Sequence, residues 1–151
     1  MNKKERRLRL ALLEHVSAVR GLPVTAQRRA VLKTVLEMYN HPSAEQVYAA
    51  VAMRQQRVSR ATVYRALDTL VEMRLLARLS HPGRVARFDM RLACHHHLIC
   101  MRCDAVLDFE DERLDEIQGD PPDTAVQGFR LRELQVQLRG VCGVCRAGAP
   151  G

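Results

Sequence analysis

The 151-residue chain has no tryptophan, three phenylalanines and three tyrosines, so aromatic residues make up only 4% of it. A core must therefore be assembled from Leu, Val, Ala and Met, a supply that suits helix-rich packing. No apolar run approaches the roughly 20 residues that a membrane span requires. The Lys/Arg-rich start MNKKERRLRLALLEHV meets Glu14 and His15 before any secretory cleavage pattern, and a cytoplasmic protein is expected. Also lacking are an internal repeat, a low-complexity segment and a recognisable catalytic motif. Five cysteines are an awkward number for a secreted disulfide framework. Four of them fall into two Cys-x-x-Cys pairs, which in a reducing compartment points to metal.

What is present is a soluble composition, 47% hydrophobic and 27% charged, long enough for one ordinary domain or two small ones. The net charge of +7 is unevenly spread. Residues 1–91 carry 18 Lys/Arg against 7 Asp/Glu, a net of +11, whereas residues 92–151 carry 6 against 10, a net of −4. A basic half joined to an acidic half fits a polyanion-binding part and a cation-binding part, and fits equally a solvated basic surface.

The first two-thirds reads as helices. Thr25 can cap a helix with apolar residues at Ala26, Ala30, Val31, Val35, Leu36 and Tyr39. That helix should stop before Asn40-His41-Pro42, because proline disfavours a helical conformation at the preceding residue. Ser43, with Gln46 at the capping-box position, opens a second helix carrying Ala44, Val47, Tyr48 and Val51 on one side. A third begins at Ser59 and presents Val63, Leu67, Leu70 and Val71. Three short helices with brief connectors predict a helix-turn-helix core. Leu75–Leu79 and Arg84–Phe88 flank the turn signal His81-Pro82-Gly83 and read as a hairpin, the wing of a winged helix. Beyond Asp89, His96–Cys100, Ala105–Phe109 and Phe129–Leu138 are strand candidates. Asp111–Gln118 reads as a short acidic helix and Gly119–Asp123 as a loop.

Cys100-x-x-Cys103 and Cys142-x-x-Cys145 are the most specific signal. Each spacing lets two thiolates reach one ion, and two such pairs complete a closed tetrahedral site of the structural zinc type. Such a site adds folding free energy to a small domain with little core. The competing reading, four buried or redox-active thiols, does not account for the paired spacing.

Just before the first pair stands Cys94-His95-His96-His97. On a strand, His95 and His97 share one face while His96 and Cys100 share the other. Two imidazoles can then converge on an ion separate from the thiols, with Asp89 and Asp108 close at hand and His41 as a further nitrogen. Mixed nitrogen and oxygen donors suit Fe(II) or Mn(II), and also accept Zn, Co or Ni. A three-His run reads as well as a polar surface cluster, and a His before Pro as a capping or packing residue.

Taken in order, Val24-Thr25-Ala26-Gln27-Arg28, His41-Pro42-Ser43-Ala44-Glu45, Arg60-Ala61-Thr62-Val63-Tyr64-Arg65-Ala66-Leu67, Arg87-Phe88-Asp89, His95-His96-His97-Leu98-Ile99-Cys100 with Cys103, and Gly140-Val141-Cys142 with Cys145 resemble the ferric uptake regulator family over nearly the whole chain. The resemblance implies an α+β fold, with a winged helix-turn-helix DNA-binding domain at 1–90 and a small α/β metal-binding dimerisation domain with structural zinc at 91–151. It implies a homodimer that is not an enzyme and that binds palindromic, AT-rich operators as a metal-dependent repressor. Structural Zn(II) would sit at Cys100, Cys103, Cys142 and Cys145. Regulatory Fe(II) or Mn(II) would sit at His41, Asp89, His95, His97 and Asp108, clamping two domains whose angle decides whether the dimer fits DNA.

Zinc-sensing members tend to have a cysteine where this chain has Asp89. Iron-uptake regulators usually have Glu at the positions of Asp89 and Asp108, and the peroxide-sensing branch has Asp at both. The chain is therefore most similar to the peroxide sensors, in which His41 and His95 would be the oxidised ligands, with an iron- or manganese-responsive uptake regulator as the competitor. In some members His96 and Cys94 help form a further site with an acidic residue, here Asp115, and a His on the last strand. Glu133-Leu134 supplies no such His. Cys94 reads as a free thiol or as a redox-sensitive extra ligand.

In a winged helix the third helix enters the major groove, which would put Arg60, Thr62, Tyr64 and Arg65 near base edges. Gln27 and Arg28 are expected to contact the DNA backbone, and the wing residues Arg84 and Arg87 to approach the minor groove, with one or two of these arginines being merely solvated. From another class, a zinc metallohydrolase using His95, His97 and Asp108 would need an open coordination position and a general base, and would leave the basic half unexplained.

Overall fold

The computed structural model describes residues 3–38, 41–55, 57–79, 85–93, 95–114 and 136–148. They divide into two compact units, Met1–Leu92 and Ala93–Gly151. The first contains helices α1 (Lys3–Val19), α2 (Ala26–Glu37), α3 (Ala44–Arg54) and α4 (Arg60–Glu72), followed by strands β1 (Ala77–Leu79) and β2 (Arg87–Asp89). The second contains β3 (His96–Cys100), β4 (Val106–Phe109), β5 (Gln137–Gly140) and the short helix α5 (Gly143–Ala147). The architecture is α+β, a winged helix-turn-helix unit followed by a small sheet-based unit.

The helices begin where their capping side chains dictate. Thr25 and Ser59 accept the backbone N–H of the residue three positions on, Arg28 and Thr62, each at 3.1 Å. Ser43 and Gln46 form a reciprocal capping box, with N–H to side-chain oxygen distances of 2.8 and 3.2 Å. α2 stops at Glu37, ahead of Pro42, and His41 takes a left-handed backbone with φ of 40°.

Val31, Val35 and Leu36 of α2, Val47 and Val51 of α3, and Val63, Leu67 and Leu70 of α4 converge in one core, as their helical spacing predicts. Two additions come from tertiary context. Leu32 is buried while Ala26 is exposed, and α1, which the sequence reading did not propose, packs Leu13 into the core with Leu10 and Val16 beside it. The stretch Leu75-Leu76 is buried ahead of β1 rather than forming part of it. The wing pairs antiparallel, Ala77 opposite Asp89 and Leu79 opposite Arg87, and Phe88 closes the core from this side.

In the second unit the strand order is β4-β3-β5, with β4 antiparallel and β5 parallel to the central β3. Glu112–Leu114 are helical where the acidic helix is expected to start. The rest of that helix, the Gly119–Asp123 loop, residues 129–135 of the expected last strand, Cys94, Asp115 and the wing turn with Arg84 lie outside the described residues. Among the described residues, no helix is long and apolar enough to cross a membrane.

Leu67 is fully buried at the centre of α4. Leu67→Ala should destabilise the first unit by about 2–5 kcal/mol, and Ser43→Ala, which removes one cap, by about 1 kcal/mol. Urea unfolding of the full chain followed by helical circular dichroism reads both, and equal losses would contradict this ranking.

Candidate metal centres and nucleic-acid interface

Parallel pairing of β3 with β5 sets Cys100 opposite Gly140, so the chain leaving β5 reaches Cys142 beside the chain leaving β3. The first knuckle turns sharply. Asp104 has a φ of 56° and donates its N–H to the Cys100 carbonyl at 3.0 Å, and Met101 N–H donates to the Gly140 carbonyl at 2.8 Å. Cys142 caps α5, and Cys145 lies within that helix. Arg102 crosses between the knuckles, donating to the Cys145 carbonyl at 3.0 Å.

The four sulfurs lie within 4.8 Å of one another, and Cys103 Sγ is 3.8 Å from Cys142 Sγ. Zn–S bonds of about 2.3 Å in a tetrahedron imply sulfur separations of about 3.8 Å, so the group fits a zinc ion. Backbone N–H groups also point at the sulfurs, Cys142 toward Cys100 at 3.3 Å and Cys145 toward Cys142 at 3.5 Å. The Cys142 N–H, helped by those of Cys103 and Arg102, lowers the Cys100 thiol to about 6. Cys145 is pushed up to about 12, first by Cys103 and then by Cys142. Without a cation the cluster tolerates one negative charge readily and resists more, which is the electrostatic need that a divalent ion meets.

On β3 the alternation of side chains places His97 on the same face as His95, and the β3–β4 register sets Asp108 directly opposite His97. Asp108 Oδ1 lies 3.2 Å from His95 Nε2 and 3.6 Å from His97 Nε2, and the two imidazole centroids are 4.5 Å apart. His95 Nδ1 faces the Ala93 carbonyl at 2.8 Å. A carbonyl only accepts, so Nδ1 carries a hydrogen, and Nε2 is the ring nitrogen that faces the carboxylate. Two electron-rich atoms at that separation need a cation or a proton between them. Ligands held about 2.1 Å from one ion lie about 3–3.5 Å apart, which matches the spacing. His95 is 3% exposed and His96 and His97 are 0% exposed, so the surface-cluster reading does not hold. His96 points to the other face and packs against Phe109, with centroids 5.3 Å apart.

In the first unit a second pair is set by a different pairing. Ser43 bridges antiparallel to Arg87, and Phe88 N–H donates to the Pro42 carbonyl at 3.0 Å. Two residues further along that register His41 stands opposite Asp89. Their Nε2 and Oδ2 atoms are 3.5 Å apart, and both side chains are buried. Asp89 Oδ1 also accepts the Arg91 N–H at 2.7 Å, which fixes the carboxylate. His41 is thus part of a buried donor pair, in a left-handed conformation that costs a non-glycine residue about 1 kcal/mol or more.

On α4, Tyr64 and Arg65 are exposed and Tyr64 is 44% accessible. Thr62 shares a hydrogen bond with Ser59 at 2.8 Å. Among the described residues, the other arginines expected at DNA are engaged by protein. Arg60 pairs with Glu45 at 2.8 Å over the Tyr48 ring, and Arg28 donates to the Pro23 carbonyl at 2.5 Å. Arg87 of the wing donates to Gln46 at 3.1 Å. Gln27 is exposed in the first turn of α2.

A winged helix-turn-helix unit followed in the chain by a unit with one thiol group and one imidazole-carboxylate group defines a class of metal-responsive DNA-binding regulators. The chain belongs to the Ferric uptake regulator family, whose sequence model matches residues 19–139. It is 28% identical over 137 residues to a peroxide-responsive repressor PerR of Staphylococcus epidermidis, covering 89% of this chain and 90% of that protein. Its fold is similar to that of the Helicobacter pylori ferric uptake regulator Fur, with a TM-score of 0.79 at 20% identity, covering 93% of each chain. It is also similar to a zinc uptake regulator solved with zinc and DNA, with a TM-score of 0.65 at 25% identity over 94% of this chain and 95% of that one. Members of this family are transcriptional regulators and not enzymes, which sets aside the metallohydrolase reading.

The thiol geometry generates a titration prediction. In the metal-free protein one thiolate per chain should appear with a midpoint of about 6 in ultraviolet thiolate absorbance, and Cys100→Ser should abolish it. Because this lies below the ordinary 9.0, the thiolate's stabilising contribution is fully present above pH 9 and lost as pH falls through about 6. A midpoint unchanged by Cys100→Ser would assign the charge to another sulfur.

Proposed function

We propose that this protein is a cytoplasmic, metal-dependent transcriptional repressor that binds palindromic, AT-rich operators as a homodimer. Residues 1–90 act as the DNA-binding domain and residues 91–151 as the metal-binding dimerisation domain. The observation that carries this reading is the separation of two unlike donor groups on one short strand, thiols at its end and imidazoles along one face.

Cys100, Cys103, Cys142 and Cys145 hold structural Zn(II). His41, Asp89, His95, His97 and Asp108 hold a regulatory ion, for which their nitrogen and oxygen donors favour Fe(II) or Mn(II). In this reading His41 and Asp89 of the first unit complete a shell begun by His95, His97 and Asp108 of the second. Occupancy then restrains one unit against the other and sets the spacing at which two copies of α4 meet successive major grooves. A row of exposed apolar residues across the sheet, Leu107, Leu98 and Leu138, supports association with a second copy. Tyr64 and Arg65 read base edges, and Gln27 holds the backbone.

The pair of aspartates, Asp89 and Asp108, and the similarity to a peroxide-responsive repressor support peroxide sensing. Bound Fe(II) would supply the peroxide chemistry, and His41 and His95 would take up the oxygen. Operator binding with Mn(II), Fe(II) and Zn(II) in turn, before and after peroxide, tests this alongside mass spectrometry of both histidines. The Fe(II) form should lose DNA and gain oxygen at His41 or His95, while the Mn(II) form keeps both unchanged. An Fe(II) form that stays on DNA with unmodified histidines would make the protein an iron- or manganese-responsive uptake regulator instead. His97→Ala should weaken Mn(II)-dependent operator binding by about 10-fold or more while keeping one zinc per chain, and concurrent zinc loss would contradict two separate sites.

A further inference from the structure

We propose that Arg57, together with Gln27 and Thr62, forms a seat for a single DNA backbone phosphate on the first unit. The proposal rests on the operator-binding reading above and adds a residue that the helix-turn-helix pattern did not single out. An open cleft of about 280 Å³ lies between the start of α2 and the connection from α3 to α4, lined by Gln27, Gln55, Arg57, Val58 and Thr62. Its lining offers one cation, two amides and a hydroxyl, with no carboxylate. That is the donor set an anion needs and a metal cation does not.

Two further observations favour Arg57 over its neighbours. Arg28 and Arg60, in the first turns of α2 and α4, are committed to the Pro23 carbonyl and to Glu45 with Tyr48, whereas among the described residues no ion pair involves Arg57. The backbone that carries Arg57 is also held in place. Gln55 N–H donates to the Val51 carbonyl at 2.8 Å, Val58 N–H donates to the Gln55 carbonyl at 3.2 Å, and Val58 packs against the core. A cation on an anchored turn, facing a polar cleft shared by two helices, is placed to fix how the unit sits on a duplex without reading a base. Arg60 then acts as a positioning residue, tying α4 to α3 through Glu45.

The test uses the full-length, Mn(II)-loaded protein and compares wild type with R57Q, R57K, R28Q and R60Q, on an operator duplex and on a scrambled duplex of equal length. Removing one phosphate contact lowers the salt slope by about 0.9, a salt response about 3.5-fold shallower between 50 and 200 mM. R57Q should show this loss equally on both duplexes, R57K should restore the slope, and R28Q should retain the wild-type slope. A neutral methylphosphonate placed at successive backbone positions should weaken wild type at one position per half-site, and R57Q should be insensitive there. An unchanged slope in R57Q, or sensitivity at the same position as wild type, overturns the seat. Equal affinity of wild type for operator and scrambled duplex, with the slope loss intact, overturns the operator reading and keeps the seat.

Discussion

The register of β3 between β4 and β5 is the constraint on which the second unit's chemistry rests. Pairing with β4 sets His97 opposite Asp108, and pairing with β5 sets Cys100 opposite Gly140, two residues before Cys142. A slip of one residue would exchange the faces of the strand. It would turn His95 and His97 toward the side now occupied by Leu98 and His96, and pull the first thiol away from the second knuckle. Five residues of one strand thus fix two donor groups of opposite character, and the apolar partners Ile99 and Val106 hold that register from inside.

The two groups differ in what they ask of an ion. Four thiols at hydrogen-bonded turns offer soft donors in a closed tetrahedron, a geometry that retains zinc. The donor atoms of His95, His97 and Asp108 are harder, the two imidazoles buried and the carboxylate at the exposed edge, with one nitrogen of His95 already oriented by the Ala93 carbonyl. Intrinsic affinity for divalent ions rises toward copper and zinc in almost any donor set, so a site for Fe(II) or Mn(II) must rely on ligand type and on what the thiols have already captured. Placing donors of both groups along one strand couples the thiol end to the face that carries the imidazoles.

How much of this was legible in the sequence follows the range of each interaction. Cys-x-x-Cys spacing is local, and the alternation of His95, His96 and His97 follows from strand geometry alone, so the two groups could be separated before any fold was known. The caps at Thr25, Ser43 and Ser59 were equally readable because each involves residues three positions apart. The residues alone offered His41 and Asp89 only as separate candidate donors, since their pairing depends on a bridge between Ser43 and Arg87 that no periodicity announces. α1 escaped notice because its buried face is narrow, limited to Leu13 and Ser17 with partial cover at Leu10 and Val16, and its first turns are charged. The first strand of the wing is shorter than its apolar run, because Leu75 and Leu76 serve the helical core instead.

Charge was the least legible property, for a reason that bears on how the first unit meets DNA. The surplus of +11 in residues 1–91 counts every arginine alike, yet the fold commits many of them. Arg29 pairs with Glu14, Arg54 with Glu37, Arg60 with Glu45 and Arg78 with Asp68, which uses four of the seven acids in that stretch. Exposed pairs of this kind contribute little stability. Their larger effect is geometric, since they hold α1 to α2, α2 to α3, α3 to α4 and α4 to the wing at defined points. Arginines held in this way shape the surface of the first unit, and Arg57 and Arg65, in none of these four pairs, keep their charge available to an outside anion. The same surplus of charge would spread without direction over a surface whose acids lay elsewhere. Here four carboxylates decide which arginines are held in pairs.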